Sequence, residues 1–252
     1  MNHNGLEIEF KWQASSNADF ERFLAHAGQL GAKIGSVEKI RIRDLYLDTE
    51  SRYFTQAGVK CRLRQAGSPC FRHARRALRA RSSQAGSKWQ LTLKTFSRLK
   101  KGLAQRQEKE IPLPFFKSQA AALRYLNRRM AGALFSGQSL RGLFEIKNLR
   151  TVHRIKLGCG ANTEASFDRV TIVKHEKKVL MREIELEFLG GKLPCFKKFT
   201  LKLTRSSGLR PQKKSKVATA VSAFGLEMIR KNTSGESGRN FAQLTKLLST
   251  LL

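Results

Sequence analysis

Two short stretches of the sequence place carboxylates at alternate positions beside a basic residue. The first is Leu6-Glu7-Ile8-Glu9-Phe10-Lys11, and the second is Arg182-Glu183-Ile184-Glu185-Leu186-Glu187-Phe188. In a strand, successive side chains point to opposite sides, so each stretch would have one charged and one apolar face. Carboxylates crowded beside a cation suit a divalent metal bound against a phosphate. Taken alone, the first stretch is also typical of a solvated edge strand.

Acidic residues are few in this chain, and their spacing is not random. The 19 acids among 252 residues would give about 1.4 acid-x-acid pairs by chance. The sequence contains six, and four of them lie on predicted strands with apolar residues opposite: Glu7/Glu9, Glu108/Glu110, Glu183/Glu185 and Glu185/Glu187. Acids concentrated on strand faces of so basic a chain indicate a binding role.

Basic residues repeat the same alternation on other predicted strands. They are Lys39, Arg41 and Arg43 in residues 39–49, Lys60, Arg62 and Arg64 in residues 58–64, and Lys88 and Lys94 in residues 88–94. Arginine offers forked donors to phosphate oxygens, and lysine offers a compact charge. These strand faces are therefore candidates for oxyanion binding.

The composition favours a polyanionic ligand without choosing one. The chain has 49 Lys+Arg against 19 Asp+Glu, a net charge of +30. Such a field attracts nucleic acid, polyphosphate, an anionic membrane surface or a phosphorylated small molecule. No apolar run approaches the roughly 20 residues of a membrane helix, and the N-terminus lacks a signal pattern. A cytoplasmic protein without a membrane partner is expected.

The cysteines and histidines give little support to other site chemistry. Cys61, Cys70, Cys159 and Cys195 are scattered, with no Cys-x-x-Cys pair and no histidine at zinc spacing. We therefore predict that they are reduced and structural. The five histidines are dispersed as well, which disfavours a Ser-His-Asp or Cys-His site.

The elements that must position these residues are strands covered by amphipathic helices. Helical periodicity is found in residues 16–28, 118–135, 194–204 and 215–228, and the strands lie between these helices or before them. If the sheet closes on itself, its charged face becomes a lumen lined by acids and bases. The pattern therefore predicts a tunnel for a metal-bound polyanion. A flat sheet with one ionic, water-facing side is the alternative.

Two segments fall outside this alternation. Residues 71–87 form an arginine-rich insertion, interpreted either as a solvated basic loop or as an anion-recruiting arm. Residues 231–252 read as a linker followed by a short apolar-striped helix beginning near Phe241, which could dock, pair with a partner or stay loose. One domain over residues 1–230 with this appendage is the predicted organisation.

The ordered set of motifs resembles a known family. It comprises Glu7-x-Glu9-x-Lys11, Tyr46-Leu47-Asp48-Thr49, Arg62-Leu63-Arg64, Leu91-Thr92-Leu93-Lys94, Arg106-x-Glu108, Arg150, Asp168, Glu183-x-Glu185-x-Glu187 and Ser215-Lys216. Over about residues 5–230 the sequence resembles the CYTH superfamily of triphosphate tunnel metalloenzymes. The resemblance implies an α+β fold, an eight-stranded antiparallel β-barrel with helices packed on the outside.

The resemblance also implies roles for individual residues. Glu7, Glu9 and Lys11 are expected to be catalytic. The metal ligands would be Glu7, Glu9, Asp168, Glu185 and Glu187, with Glu108 and Glu183 as further candidates. The triphosphate would be bound by Lys11, Arg41, Arg62, Arg64, Lys94, Arg150 and Lys216.

The implied activity is hydrolysis of tripolyphosphate or an organic triphosphate with Mg²⁺ or Mn²⁺, and the chain looks most like the bacterial inorganic triphosphatases. A class IV-type adenylate cyclase on the same scaffold is one alternative. A non-catalytic polyphosphate- or RNA-binding protein is another, disfavoured because exposed aromatics interleaved with the basic residues are lacking. A small triphosphate is thus favoured over nucleic acid, and the sequence leaves a homodimer open.

Overall fold

Fourteen helices and strands follow one another in the part of the chain that the structure describes. The computed structural model describes residues 6–67, 88–95, 100–135, 137–226 and 234–252, and of residues 234–240 only the backbone. The strands are β1 (Leu6–Gln13), β2 (Lys33–Asp48), β3 (Val59–Gly67), β4 (Lys88–Thr95), β5 (Leu103–Leu113), β6 (Arg141–Lys156), β7 (Asn162–Lys174) and β8 (Lys177–Gly190). The helices are α1 (Asn17–Gln29), α2 (Tyr53–Gln56), α3 (Gln119–Leu134), α4 (Leu193–Ser207), α5 (Lys216–Phe224) and α6 (Ser234–Leu251).

The strands form a closed antiparallel barrel in the order β1-β5-β4-β3-β2-β6-β7-β8. The first strand completes the ring because it pairs with both β5 and β8. Glu9 lies opposite Ala104 on one side and opposite Glu187 on the other. Closure removes the unpaired sheet edge that would otherwise invite association. The predicted eight-stranded barrel with helices outside it is confirmed.

By internal contacts the chain divides into two compact units. The first consists of Met1–Glu38, Phe96–Glu108 and Asn148–Glu227, and the second of Lys39–Thr95, Lys109–Lys147 and Met228–Leu252. Each unit has its own helix-covered apolar core. We call the strand face turned away from the covering helices the inner face.

The core of the first unit lies under α1 and α4. Trp12 of β1 is fully buried, and its indole N–H donates a hydrogen bond of 2.8 Å to Thr204 of α4. Phe23 of α1 packs edge-on against Trp12, with ring centroids 5.2 Å apart. The start of α1 is fixed by Asp19, whose carboxylate accepts a hydrogen bond from the backbone N–H of Ser15 at 2.7 Å. The apolar side of β1 is thereby buried, which leaves its charged side on the inner face.

The core of the second unit lies under α3 and α6. Ser118 caps α3 by accepting a hydrogen bond from the N–H of Ala121 at 3.2 Å. Leu126 of α3 and Leu248 of α6 are fully buried in the same cluster as Leu93 of β4. The predicted C-terminal helix therefore docks on the second unit. It begins at Ser234, earlier than the predicted start near Phe241, so residues 234–240 are helical and not a linker.

Two cysteines differ from the prediction. Cys159, in the turn between β6 and β7, forms a disulfide with Cys195 in the first turn of α4, and their Cα atoms are 6.5 Å apart. The expectation that all the cysteines are reduced is therefore wrong for this pair. Their separation of 36 residues gave no pairing signal, because only the docking of α4 brings the two thiols together. Cys61 is free and buried, as predicted.

Two further sequence expectations concern the arginine-rich insertion and membrane-spanning helices. The arginine-rich insertion 71–87 lies outside the described residues. Among the described residues, none of the helices combines the length and the hydropathy that a membrane span requires.

Candidate active site

The inner face of the first unit carries the carboxylates of three neighbouring strands. β1 contributes Glu7 and Glu9, β7 contributes Asp168, and β8 contributes Glu183, Glu185 and Glu187. The β1–β8 register places Lys11 opposite Glu185, and the β7–β8 register places Asp168 opposite Glu183. Residues opposite one another on paired strands share a face. The acidic residues of these three strands therefore share one surface.

Asp168, Glu183 and Glu185 form the acidic cluster. Each offers a carboxylate oxygen, and these oxygens lie within 4.8 Å of one another. All three residues are buried, with exposed fractions of 0%, 0% and 5%. Three carboxylates this close repel one another strongly away from water, so they require cationic partners.

Lys216 supplies one of these partners from outside the sheet. It is the first residue of α5, whose start is capped by Ser215 accepting a hydrogen bond from the N–H of Ala218. The Lys216 ammonium donates to Asp168 at 2.6 Å, to Glu185 at 2.8 Å and to Glu183. Burial opposes the charge, but these carboxylates more than offset it, so the pKa of Lys216 lies well above its ordinary value.

Arg150 and Lys11 complete the cation set of the acidic cluster. Arg150 makes a forked contact with Asp168 through Nε at 2.7 Å and Nη2 at 2.6 Å, and its Nη2 also contacts Glu185. Lys11 pairs with Glu185 and with Glu9, the latter at 3.1 Å. Burial opposes the charge of Lys11, yet the adjacent carboxylates hold its pKa above its ordinary value. Both residues were predicted to bind phosphate, and here they bind carboxylates.

Arg106 of β5 links the two carboxylates of β1. Its guanidinium donates to Glu7 at 2.7 Å and 2.8 Å and pairs with Glu9 at 2.7 Å. Arg106 was not among the predicted ligands, although the Arg106-x-Glu108 spacing was part of the resemblance. That spacing was the only signal in the sequence. The position of Arg106 opposite Glu7 follows from the β1–β5 register, which cannot be read from the sequence.

The carboxylates of this face have unequal pKa values. Burial alone would raise the pKa of Asp168, but Arg150 and Lys216 hold it below its ordinary value. Burial and the neighbouring Glu185 raise the pKa of Glu183 to about 7. Burial and the charges of Glu7, Glu9 and other acids raise the pKa of Glu187 to about 8. Negative charge is therefore insufficiently compensated around Glu187.

This pattern fits a divalent cation. The donors are carboxylate oxygens only, which suit hard ions such as Mg²⁺ or Mn²⁺. Bound between carboxylates, such an ion would relieve the repulsion that raises the pKa of Glu187. The three residues of the acidic cluster lie close enough to share an ion. The half-buried Glu108 also contributes to the negative field at Glu187.

The inner face of the second unit carries a separate group that we call the arginine cluster: Asp44, Arg62, Arg64 and Lys94. Asp44 accepts a forked contact from Arg64 at 2.7 Å and 2.8 Å and a bond from Arg62 at 3.2 Å. Burial would raise the pKa of Asp44, but Arg62, Arg64 and Lys94 hold it well below its ordinary range. The sequence analysis named the three cations as ligands of the same triphosphate, but it missed Asp44, an acid that lies between basic and apolar residues of β2.

Arg41 does not join the arginine cluster. In the β2–β3 register Asp44 faces Arg64, whereas Arg41 faces Gly67 and shares its side of the sheet with Leu45 and Leu63. Arg41 is exposed, and it lies on the outer face. The alternation within β2 was predicted correctly, but the face that turns inward is the one carrying Asp44.

Asp48, from the Tyr46-Leu47-Asp48-Thr49 motif, has a structural role. Its carboxylate accepts hydrogen bonds from the N–H groups of Phe54 at 2.9 Å and Thr55 at 3.2 Å. It also accepts one from the Thr55 hydroxyl at 2.7 Å. These contacts fix the short helix α2 against the end of β2.

We compared the fold with solved structures and the sequence with known families. Two of the solved structures that resemble this chain share 16% identity with it. The PH1819 protein of Pyrococcus horikoshii has a TM-score of 0.53 over 86% of this chain and 99% of its own. HpAC1 of Hippeastrum, described as a putative adenylyl cyclase with a dominant triphosphatase activity, has a TM-score of 0.51 over 88% of this chain and 97% of its own.

These similarities establish the fold, and no curated protein matches the chain by sequence. A family model is more specific than either structure, because the model for the CYTH domain matches residues 5–221. That span includes all the strands of the barrel and both clusters. The chain therefore belongs to the CYTH domain family.

Proposed function

We propose that this protein is a metal-dependent triphosphatase that hydrolyses tripolyphosphate or an organic triphosphate on the inner face of its barrel. The observation that carries the proposal is the buried set of carboxylates and cations around Asp168, Glu183 and Glu185. So many ions are costly to bury for stability alone. A phosphate ligand with its metal would use both kinds of charge.

The metal would be held by Glu7, Glu9, Asp168, Glu185 and Glu187, with Glu183 and Glu108 beside them. When bound, Mg²⁺ or Mn²⁺ supplies charge for the phosphate oxygens and lowers the pKa of a coordinated water. A cation would be stabilised here because several carboxylates repel one another, as the raised pKa of Glu187 indicates.

The cations of the first unit have a separate task. Lys11, Arg150 and Lys216 already lie within hydrogen-bonding distance of the carboxylates. With those carboxylates engaged by a metal ion, the same cations would be able to donate hydrogen bonds to phosphate oxygens. They would stabilise the charge that develops on the phosphoryl group and on its leaving group. Such catalysis depends on positioning and electrostatics, and it needs no covalent nucleophile.

The arginine cluster of the second unit would bind phosphate oxygens as well. Arg62, Arg64 and Lys94 lie around the carboxylate of Asp44 and lower its pKa. Forked guanidinium donors suit a phosphate as well as they suit a carboxylate. Arg41 is left out of this proposal because it lies on the outer face.

The test is phosphate release from tripolyphosphate, thiamine triphosphate, ATP and a 5′-triphosphorylated RNA, each with Mg²⁺, Mn²⁺ or chelator. Glu9→Gln, which keeps the shape of a side chain that is 3% exposed, should lose most of the activity. Glu50→Gln is the matched control, because this side chain is 83% exposed.

Two results would overturn the proposal. One is the absence of phosphate release from all four substrates with either metal, and the other is a full rate for Glu9→Gln. Cyclic nucleotide and pyrophosphate from ATP, without phosphate, would instead identify a cyclase.

A further inference from the structure

Thr92, in the middle of β4, has a fully buried hydroxyl group. The residue is 0% exposed, and its Oγ1 has no hydrogen-bond partner among the residues that the structure describes. Buried polar side-chain atoms nearly always have a partner, because leaving one without any costs free energy. The hydroxyl therefore requires an explanation that the contacts among the described residues do not supply.

The position of Thr92 would suit valine equally well in shape. Its neighbours Leu91 and Leu93 point to the other side of β4 and are fully buried in the helix-covered core. Valine has the same branched shape as threonine and a high strand propensity, and it would bury no polar atom. A ligand that accepts a hydrogen bond from this hydroxyl would explain why threonine occupies the position.

The surroundings of Thr92 indicate an anionic ligand. Thr92 lies opposite Arg62 in the β3–β4 register, and Lys94 lies two residues further along the same face of β4. Arg62 and Lys94 are both buried and act on Asp44, the single carboxylate of the arginine cluster. A hydroxyl donor beside two buried cations suits the oxygen atoms of a phosphate.

We propose that the Thr92 hydroxyl donates a hydrogen bond to a phosphate oxygen of the triphosphate and is a substrate-binding residue beside Arg62 and Lys94. The inference rests on the proposed function for the identity of the ligand. Thr92 would be a neutral hydrogen-bond donor next to the charged side chains of the arginine cluster. Such a donor fixes the orientation of a phosphate group, which diffuse positive charge does not.

Thr92→Val tests the proposal because it removes the hydroxyl and keeps the shape. We expect KM for tripolyphosphate, and the dissociation constant of a non-hydrolysable imido analogue measured by calorimetry, to rise about tenfold. The melting temperature without ligand should stay the same or rise, because no internal hydrogen bond is lost. Thr92→Ser, which restores a hydroxyl, should bind like the unmodified protein.

Thr163→Val is the matched control. Thr163 is 1% exposed, and its hydroxyl donates a hydrogen bond of 3.0 Å to the carbonyl of Ile155. Its loss should lower the melting temperature by roughly 2–4 °C and leave KM unchanged.

The outcomes separate this inference from the proposed function. Unchanged KM and analogue affinity in Thr92→Val, or a fall in its melting temperature like that of Thr163→Val, would refute the role of Thr92. If the unmodified protein binds the analogue without hydrolysing any triphosphate, the proposed function fails, and the effect of Thr92→Val on binding still decides the inference. If the unmodified protein does not bind the analogue, both are wrong.

Discussion

The ammonium group of Lys216, at the first position of α5, donates a hydrogen bond of 2.6 Å to the carboxylate of Asp168 on β7. The two residues are 48 positions apart in the sequence, so the contact connects α5 to a distant strand of the barrel. It also places the start of a helix against the acidic cluster. A buried ion pair therefore connects the start of α5 to β7.

Replacing Lys216 by methionine should destabilise the protein. The substitution keeps an unbranched side chain and removes the charge that three buried carboxylates share. Breaking a buried pair by removing one partner costs about 3–5 kcal/mol. Urea unfolding of the metal-free protein measures the change, with Lys202→Met on the exposed side of α4 as control. Equal stability of the two variants would contradict the role of Lys216.

A divalent cation should stabilise the protein through the inner-face carboxylates. An ion that binds only the folded state at 100 times its dissociation constant adds about 2.7 kcal/mol to the free energy of unfolding. Thermal unfolding with increasing Mg²⁺ or Mn²⁺ should show a rise in melting temperature, and Glu187→Gln should reduce it. Glu50→Gln should respond like the unmodified protein. A response that Glu187→Gln leaves intact would remove Glu187 from the ligand set.

Asp44 should give acid sensitivity to the second unit. Its pKa in the folded protein lies well below the ordinary value because of Arg62, Arg64 and Lys94. A carboxyl group with a lowered pKa stabilises the fold above its unfolded pKa of about 3.9, and this contribution is lost as pH falls further.

Asp44→Asn provides the measurement of that contribution. The variant should be less stable than the unmodified protein at pH 7 by about 3 kcal/mol. The difference, measured by urea unfolding from pH 7 to pH 2, should shrink below about pH 4. A difference that stays constant over this range would show that the charge of Asp44 does not stabilise the fold.

Reduction of the Cys159–Cys195 disulfide should destabilise the first unit. The bond closes a loop over a separation of 36 residues, and disulfides with such loops typically contribute about 2–4 kcal/mol. Dithiothreitol should therefore lower the melting temperature of the unmodified protein. A variant with both cysteines replaced by serine should start at the lower value and show no response to the reductant. Equal melting temperatures with and without the reductant would contradict this prediction.

The local alternation of the sequence determined much of the candidate site. A strand sends alternate side chains to opposite sides, so the charged and apolar faces of β1 and β8 could be predicted before any pairing was known. The helices followed from their apolar spacing and their caps, as Ser118 shows for α3. The ordered motifs gave the family, which the match over residues 5–221 confirms.

Only the tertiary structure decided which of these faces meet and in what register. A single strand pattern does not encode its partner, so Arg106 opposite Glu7 and Asp44 opposite Arg64 could not be deduced. The strand pattern of β2 also does not tell which face turns inward. Arg41 was therefore predicted among the phosphate ligands, but it lies on the outer face. The disulfide of Cys159 with Cys195 likewise depends on the docking of α4. These contacts join residues far apart in the chain, and the closing of the barrel and the packing of its helices set their geometry.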